Sequence, residues 1–276
     1  MRETGTSMHF NMNRAWDEAV RIMRANPELL ALLAGLFIFL PTFAIYLAVP
    51  EAMSMPANMT QETASTEMNA WMQRNALYVI LLQVVQYIGI LSMLALFARR
   101  KPTVGEAIKN AFIALLPLLA AQILLGLAFG LAGSLLIALG SALGSAGVFV
   151  MTLFVIGGAI YVAARLFALL PIVIFEKIYN PLKAIGDAWR LTKGQGFRLL
   201  AFFALLIIAA IVISAVLSGI AALIGAIASE QAALFVQAGF SALFAAISSA
   251  IFTVVIVALY RQFGSRKDPE ARLPGA

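Results

Sequence analysis

The sequence predicts an all-α, polytopic integral membrane protein: a bundle of six transmembrane helices accompanied by amphipathic surface helices. Hydrophobic residues make up 62% of the chain and charged residues 12%, whereas soluble domains average about 45–50% and about 25%. The apolar residues fall in runs long enough to span a bilayer, which needs about 20 residues. Segments containing Lys and Arg separate these runs. A water-soluble core does not explain apolar runs of this length.

The N-terminal segment, residues 1–28, is predicted to be cytoplasmic and amphipathic rather than a cleaved signal peptide. A signal peptide has a short basic start, then an apolar stretch and a small-residue cleavage site. The interval 13–25 instead places apolar and charged residues on opposite sides of a helix, which is typical of a helix in the headgroup region. Its predicted apolar face consists of Trp16, Ala19, Val20 and Met23.

The spans are predicted to form one transmembrane domain over residues 29–260. Pro41 interrupts the first run and predicts a kink, because proline lacks an amide hydrogen and crowds the preceding turn. A turn rich in Gly, Ser and Ala at 140–147 separates the third run from the fourth. The predicted spans are 29–49, 76–98, 116–139, 148–175, 199–227 and 232–260.

Two further amphipathic surface helices are predicted where polar segments precede spans. Thr103 and Glu106 have the spacing of a capping box, and apolar residues follow at helical intervals. Asn180 followed by Pro181 is a typical helix start, and Gly194 is a typical helix end. The later of these two helices carries an apolar stripe of Leu182, Ile185 and Trp189.

The three amphipathic segments point to a threefold repeat of one surface helix followed by a helical hairpin. Each segment precedes a pair of spans, and each contains a similar short motif, at 18–20, 106–108 and 183–185. Duplication of one unit would explain the pattern. The alternative is the general likeness of Ala-rich helices, and the predicted six-span architecture is the same in both cases.

The distribution of charge predicts the orientation in the membrane. Every Lys and Arg except Arg74 and Arg165 lies beside the same predicted side. The opposite side carries Glu51, Glu62, Glu67 and Glu230. Because cytoplasmic loops are enriched in Lys and Arg, both termini are predicted to lie in the cytoplasm. Residues 261–276 are predicted to form a basic, disordered tail. The net charge of +6 therefore indicates anionic lipid headgroups, and not nucleic acid, as the partner.

Arg165 is the sharpest candidate site residue, because it lies within the apolar run of the fourth span. A charge in hydrocarbon costs roughly 2.5–3.5 kcal/mol on insertion scales, so the side chain needs a partner or water. One interpretation is a group that binds an anionic lipid head or substrate. The other is structural: the guanidinium reaches the interface, or bonds carbonyls that Pro171 leaves free.

Glu176 is a second candidate contact, at the end of the same run. It follows Arg165 by about 16 Å along a straight helix, so the two side chains are not expected to pair. Pairing with a basic neighbour, such as Lys177 or Arg190, is predicted in preference to a role as a proton carrier.

Three glutamines complete the candidate ligand or lipid contacts. Gln83 and Gln86 share one face of the second span, and Gln122 lies in the third. They either line a polar path or form hydrogen bonds between helices, which contribute about 0.6 kcal/mol each on average.

A pattern between Arg165 and Arg198 resembles a known bacterial family. It consists of Arg165, Pro171, Glu176, the PLKA stretch at 181–184, the AWRLTKG stretch at 188–194 and Phe197-Arg198. The pattern resembles the membrane domain attached to some glycerophosphoryl diester phosphodiesterases, and the stand-alone YciC-type membrane proteins. The resemblance implies a six-span fold in a bacterial inner membrane, without an agreed activity. The catalytic part of those phosphodiesterases is a separate soluble barrel, for which this chain has no room.

The sequence contains no pattern that predicts an enzyme, a metal or a cofactor. There is no Cys, which excludes thiol chemistry and disulfides, and the one His lies near the N-terminus. The spans hold no facing aspartates, Ser/His pair or phosphate-binding loop. We therefore expect a non-enzymatic integral membrane protein with a lipid- or envelope-related role. The alternatives are a permease that binds an anionic amphiphile through Arg165, and a scaffold that binds a partner protein through its surface helices.

Overall fold

The computed structural model describes residues 11–53, 63–98, 102–227 and 229–264. Within these residues all regular structure is helical, and no strand occurs. Six helices are long and apolar enough to cross a bilayer, which confirms the predicted all-α fold of a multi-pass membrane protein. Spans one to six are Pro27–Ala48, Ala64–Leu96, Val104–Ser141, Gly144–Phe175, Gly196–Ile227 and Gln231–Gly264.

Among the described residues, two amphipathic helices lie outside the spans. The N-terminal amphipathic helix is Met12–Ala25, and the central amphipathic helix is Pro181–Leu191. At the start of the central helix, the Lys183 amide donates to the Asn180 side chain at 3.1 Å, which confirms the predicted N-cap. After its end, Gly194 has φ +79°, a left-handed conformation that glycine adopts without strain.

Span one contains a widened turn just before its proline. Residues Gly35–Phe39 form a π-helix, in which the Leu40 amide donates to the Gly35 carbonyl. Pro41 has no amide hydrogen for the Phe37 carbonyl and its ring crowds that carbonyl, so a wider preceding turn relieves the clash. The interruption predicted at Pro41 therefore takes the form of a π turn.

Span four also changes geometry ahead of a proline. Its first α-helical part ends at Arg165, a 3₁₀ turn covers Leu166–Ala168, and α-helix resumes over Leu169–Phe175. Pro171 cannot supply the amide that would bond the Phe167 carbonyl, which lies in the 3₁₀ turn. Arg165 therefore stands at the end of a helical segment and not in the middle of one.

The amphipathic helix predicted after Thr103 is not a separate helix. Instead, one helix runs from Val104 without a break through Pro117 to Ser141. The predicted capping box is confirmed: the Thr103 amide donates to the Glu106 carboxylate at 2.9 Å, and the Glu106 amide donates to the Thr103 hydroxyl at 3.3 Å. Pro117 lies at the expected boundary but is accommodated within the helix, so the segment forms the first part of span three. Only two of the three predicted repeat copies thus carry a separate amphipathic helix among the described residues.

Several predicted ends of the spans differ from the structure. Span four begins at Gly144, so only part of the turn predicted at 140–147 is a turn, and span five begins at Gly196. Span two begins at Ala64, because the polar residues before the apolar run are helical as well. Span six continues to Gly264, so residues 261–264, predicted to belong to the disordered tail, are helical. The rest of the predicted tail and the first ten residues lie outside the described residues.

The described chain divides into two compact units. The first unit contains residues 11–22, 112–207 and 254–264, and the second contains 23–111 and 208–253. In the first unit Phe167 contacts Phe203 and Phe263, with ring centroids 6.1 and 5.6 Å away. In the second unit Gly89 allows span two to approach span one closely, because a Cβ at this position would lie 2.5 Å from the Phe37 Cβ.

Candidate functional site

Arg165 is buried at the break in span four and contacts the end of the central amphipathic helix. The residue is 7% exposed. Its Nε donates to the Thr192 hydroxyl at 3.2 Å, and its Nη2 donates to the Trp189 carbonyl at 2.7 Å. The last carbonyls of a helix have no donor within the helix, and the guanidinium supplies one. The cation also lies at the negative end of the helix dipole, which is the favourable end for it.

One aromatic ring stacks on the guanidinium, and two more extend the contact. Its Cζ lies 3.6 Å from the centroid of the Trp189 ring, in cation–π contact. Tyr161 meets Trp189 edge to face, with centroids 6.5 Å apart and planes at 85°. Tyr161 also contacts Phe197, with centroids 5.5 Å apart. We refer to Arg165, Trp189, Thr192, Tyr161 and Phe197 as the arginine cluster.

Two local features orient the members of the arginine cluster. The Thr192 hydroxyl donates to the Ala188 carbonyl at 3.1 Å while it accepts from Arg165, so its rotamer is set from both sides. Gly196, the first residue of span five, lies against Tyr161: a Cβ there would be 2.5 Å from the Tyr161 Oη. Because of this close approach, span five starts directly beside the tyrosine.

These contacts favour a structural role for Arg165, with a partner that the sequence analysis did not name. The bonded carbonyl belongs to Trp189 in the next helix, and not to the turn that Pro171 interrupts. Hydropathy and periodicity give no indication that Trp189 and Thr192 contact Arg165. The one signal that linked them is the pattern singled out in the sequence analysis, which contains both Arg165 and the WRLT stretch.

Glu176 connects the end of span four to span six. Its Oε1 accepts a hydrogen bond from the Tyr260 hydroxyl. Of the two predicted basic partners, Arg190 forms an ion pair with Asp187 at 2.5 Å. The other, Lys177, directly follows Glu176 and turns the chain after span four, with φ +53°, an uncommon conformation for a residue other than glycine. The tyrosine is thus a partner of Glu176 that sequence spacing could not indicate.

The three predicted glutamines occupy different environments. The Gln86 Nε2 donates to the buried Thr42 hydroxyl at 3.0 Å, which joins span two to span one. This contact supports the interpretation of Gln86 as a source of hydrogen bonding between helices. Gln83, one turn earlier, is exposed, and Gln122 is half-buried in the first unit. Gln83 therefore shares neither the burial nor the partner of Gln86.

The central amphipathic helix buries small side chains and exposes large ones. Ala184 and Ala188 are fully buried, so the helix backbone lies close to the residues that support it. Leu182 and Trp189 of the predicted apolar stripe are exposed, and so is Phe197, at 78%. The helix, the turn that follows it and the first turn of span five also expose the basic residues Lys183, Arg190, Lys193 and Arg198. Large apolar and cationic side chains are therefore exposed on one short segment.

The N-terminal amphipathic helix also turns small side chains inward. Ala15, Ala19 and Ile22 are buried, whereas Trp16, predicted on the same apolar face as Ala19, is 42% exposed. The predicted face is therefore only partly right. The small alanine side chains fit where the helix packs closely against the rest of the protein, whereas the larger indole of Trp16 stays exposed.

Polar contacts attach the N-terminal amphipathic helix to the end of span six. Glu18 forms an ion pair with Arg261 at 3.1 Å and another with Arg21 of its own helix. The Gln262 Nε2 donates to the Asn11 carbonyl at 3.2 Å. This attachment uses partly exposed groups, with the Glu18 side chain 21% and the Arg261 side chain 49% exposed, whereas Arg165 is buried.

Comparison with other proteins adds no family to these observations. No known protein family, curated protein or solved structure matches the chain. Among the described residues no group of three His, Asp or Glu side chains could hold a metal ion. The chain is a multi-pass membrane protein with six candidate spans, and within its first unit the arginine cluster joins span four to the central amphipathic helix.

Proposed function

We propose that the chain is a non-enzymatic integral membrane protein of the bacterial inner membrane, with a lipid- or envelope-related role. In this proposal both termini are cytoplasmic, and the central amphipathic helix lies in the cytoplasmic headgroup region, where it contacts anionic lipids. The observation that carries the proposal is the outward face of this helix, where large apolar and basic side chains are exposed together.

An interfacial position accounts for both kinds of exposed side chain. Leu182, Trp189 and Phe197 gain free energy on leaving water, at about 25 cal/mol per Å² of apolar surface. Lys and Arg each gain about 1 kcal/mol near an anionic lipid surface. The helix connects span four to span five, so the spans themselves hold it near the end of the bilayer.

Two sequence features support the same proposal. The side of the membrane that collects nearly all Lys and Arg is the cytoplasmic side by the positive-inside rule. The pattern from Arg165 to Arg198 resembles the membrane domain of some glycerophosphoryl diester phosphodiesterases and the YciC-type proteins. In this chain Arg165, Trp189, Thr192 and Phe197 of the pattern belong to the arginine cluster, and much of the rest of the pattern forms the helix that the cluster holds.

Trp189 can report lipid contact directly. The chain has three Trp, so Trp16→Phe with Trp71→Phe leaves Trp189 as the only indole. The protein is reconstituted with brominated phospholipids, which quench a neighbouring indole, in either anionic or zwitterionic form. We expect stronger quenching by the anionic form at equal mole fraction. Equal quenching by both forms contradicts the anionic preference, and quenching by neither places the helix outside the bilayer interface.

Charge variants identify the source of the preference. Lys183→Gln, Lys193→Gln and Arg198→Gln should each lower the anionic preference about fivefold, which corresponds to about 1 kcal/mol. The matched control is Arg74→Gln, since Arg74 is exposed but predicted to lie on the other side. It should leave the quenching ratio unchanged.

The arginine cluster bears on the permease alternative. A substrate anion would have to compete with the contacts of the Arg165 Nε and Nη2 and with the Trp189 ring. We therefore expect liposomes that contain the protein to take up no anionic amphiphile. Uptake that both Arg165→Ala and Arg165→Lys abolish would favour the permease.

The scaffold alternative makes a different prediction. A partner protein bound to the central amphipathic helix should co-purify stably with the chain and be lost when residues 180–194 are deleted. Under the lipid proposal, the same deletion removes the anionic quenching preference and leaves the set of co-purifying proteins unchanged.

A further inference from the structure

Gln83 places an amide on an exposed apolar face of span two. Its side chain is exposed, and so are Ile80 one turn earlier and Leu77 one turn before that, the leucine at 72%. None of the described residues supplies Gln83 with a hydrogen-bond partner. Gln86 differs, because Thr42 of the same unit bonds its amide.

The position of Gln83 along the helix is deep in the apolar part of the span. It is about 14 Å from Arg74 and about 21 Å from Phe97 at 1.5 Å per residue. A glutamine side chain is too short to reach the headgroups over either distance. An amide without partners in hydrocarbon is unfavourable, so this amide requires a polar partner within the bilayer.

The neighbours of Gln83 narrow the choice of partner. Lipid tails carry no polar atom. A water-filled path would be lined by polar side chains, whereas Ile80 and Leu77 are large, apolar and exposed. An amide holds both a donor and an acceptor, so two glutamines related by a twofold axis satisfy each other.

We propose that span two forms a homodimer contact through Leu77, Ile80 and Gln83, with reciprocal hydrogen bonds between the two Gln83 amides. The partner is a second copy of this chain. Hydrogen bonds between polar side chains are a recognised force in the association of membrane helices. This contact requires only that the chain spans the membrane, and it is independent of the lipid preference of the central amphipathic helix.

Energy transfer between labelled copies in liposomes measures the dimer. The chain has no Cys, so Ala276→Cys gives one site for a donor or acceptor dye. Lipid dilution then yields the dimer affinity. Gln83→Leu should weaken it about tenfold, the effect of losing two such hydrogen bonds, and Gln83→Asn should retain most of it. Gln86→Leu is the matched control: it removes an amide that is bonded within the chain and should leave the dimer affinity unchanged.

Cysteine cross-linking locates the contact. Ile80→Cys should form a disulfide between copies, and Leu205→Cys, exposed in span five, should not. An unchanged affinity in Gln83→Leu, or an equal loss in Gln86→Leu, overturns the proposal. So does Gln83→Cys that reacts with a hydrophilic maleimide as fast as Arg74→Cys, because that result would place water at this face.

Discussion

The two amphipathic helices expose similar faces but are attached in opposite ways. The central helix is held at its end by the buried Arg165, which is stacked on an indole and bonded to the last turn. The N-terminal helix is held by the pair of Glu18 with Arg261, whose side chains are 21% and 49% exposed. One attachment is enclosed by protein, and the other is open to solvent.

The difference in burial between the two attachments indicates which helix is held more strongly. Exposed ion pairs contribute about 0.2–1 kcal/mol and are weakened by salt. Hydrogen bonds from a charged group contribute about 1.5–3 kcal/mol, and a desolvated cation–π contact about 2 kcal/mol. We therefore expect the central helix to stay in place under conditions that release the N-terminal helix.

Arg165→Met should have the largest effect. Methionine has a long, unbranched side chain like that of arginine, but it lacks the donors to Trp189 and Thr192 and the positive charge that stacks on the indole. We therefore expect a loss of about 3 kcal/mol in the free energy of unfolding. Denaturation in mixed detergent micelles measures it. The free energy of unfolding of Arg165→Lys should lie between those of the unchanged protein and Arg165→Met, because lysine keeps the charge but not the planar guanidinium with its two donors. Equal stability of all three proteins would mean that the arginine cluster does not hold the helix.

Gly196→Ala should have the second largest effect, a loss of about 1–3 kcal/mol in the free energy of unfolding. The new Cβ would meet the Tyr161 Oη at 2.5 Å, so the tyrosine or the start of span five must move. The matched control is Gly219→Ala in the same span, where nothing lies within 4 Å of the added Cβ. The same micelle denaturation compares them, and a loss in both variants would point to span five as a whole.

Thr192→Val should cost about 1 kcal/mol, because it removes the hydroxyl shared by Arg165 and the Ala188 carbonyl but preserves the shape of the side chain. Local opening of the helix end should then raise the rate of trypsin cleavage after Lys193. Thr192→Ser restores the hydroxyl and should return the rate toward that of the unchanged chain. If serine and valine behave alike, the hydroxyl does not matter.

Glu18→Gln should have the smallest effect, at about 0.5 kcal/mol or less, since it breaks only exposed pairs. Hydrogen exchange of the Met12–Ala25 amides should rise slightly at low salt and be unaffected at high salt, where screening has already weakened the pair. An effect as large as that of Arg165→Met would remove the contrast between the two helices.

Local signals in the sequence predicted much of the fold. Hydropathy placed the six spans, since length and apolar content suffice for that. The cap at Asn180 and the capping box at Thr103 and Glu106 involve residues three apart, so their spacing alone identified them.

Contacts between distant residues were beyond the reach of periodicity. Arg165 meets the Trp189 carbonyl 24 residues later, across a turn whose geometry no helical pattern specifies. The buried face of the N-terminal helix differs from the predicted one. Hydrophobicity favours burial of Trp16, but close packing favours the smaller Ala15. The helix boundary expected before span three was wrong because the helix continues through Pro117 instead of ending there.

The helix of span three has 38 residues, about 57 Å at 1.5 Å per residue, against a hydrocarbon thickness of roughly 30 Å. No charged residue follows Lys109 in this helix. Span three can therefore match a thin or a thick membrane by changing its tilt. At each tilt apolar side chains contact the acyl chains, and no charged residue enters the hydrocarbon. Along this span the protein is suited to bilayers of variable thickness, a tolerance that a helix of minimal length would not have.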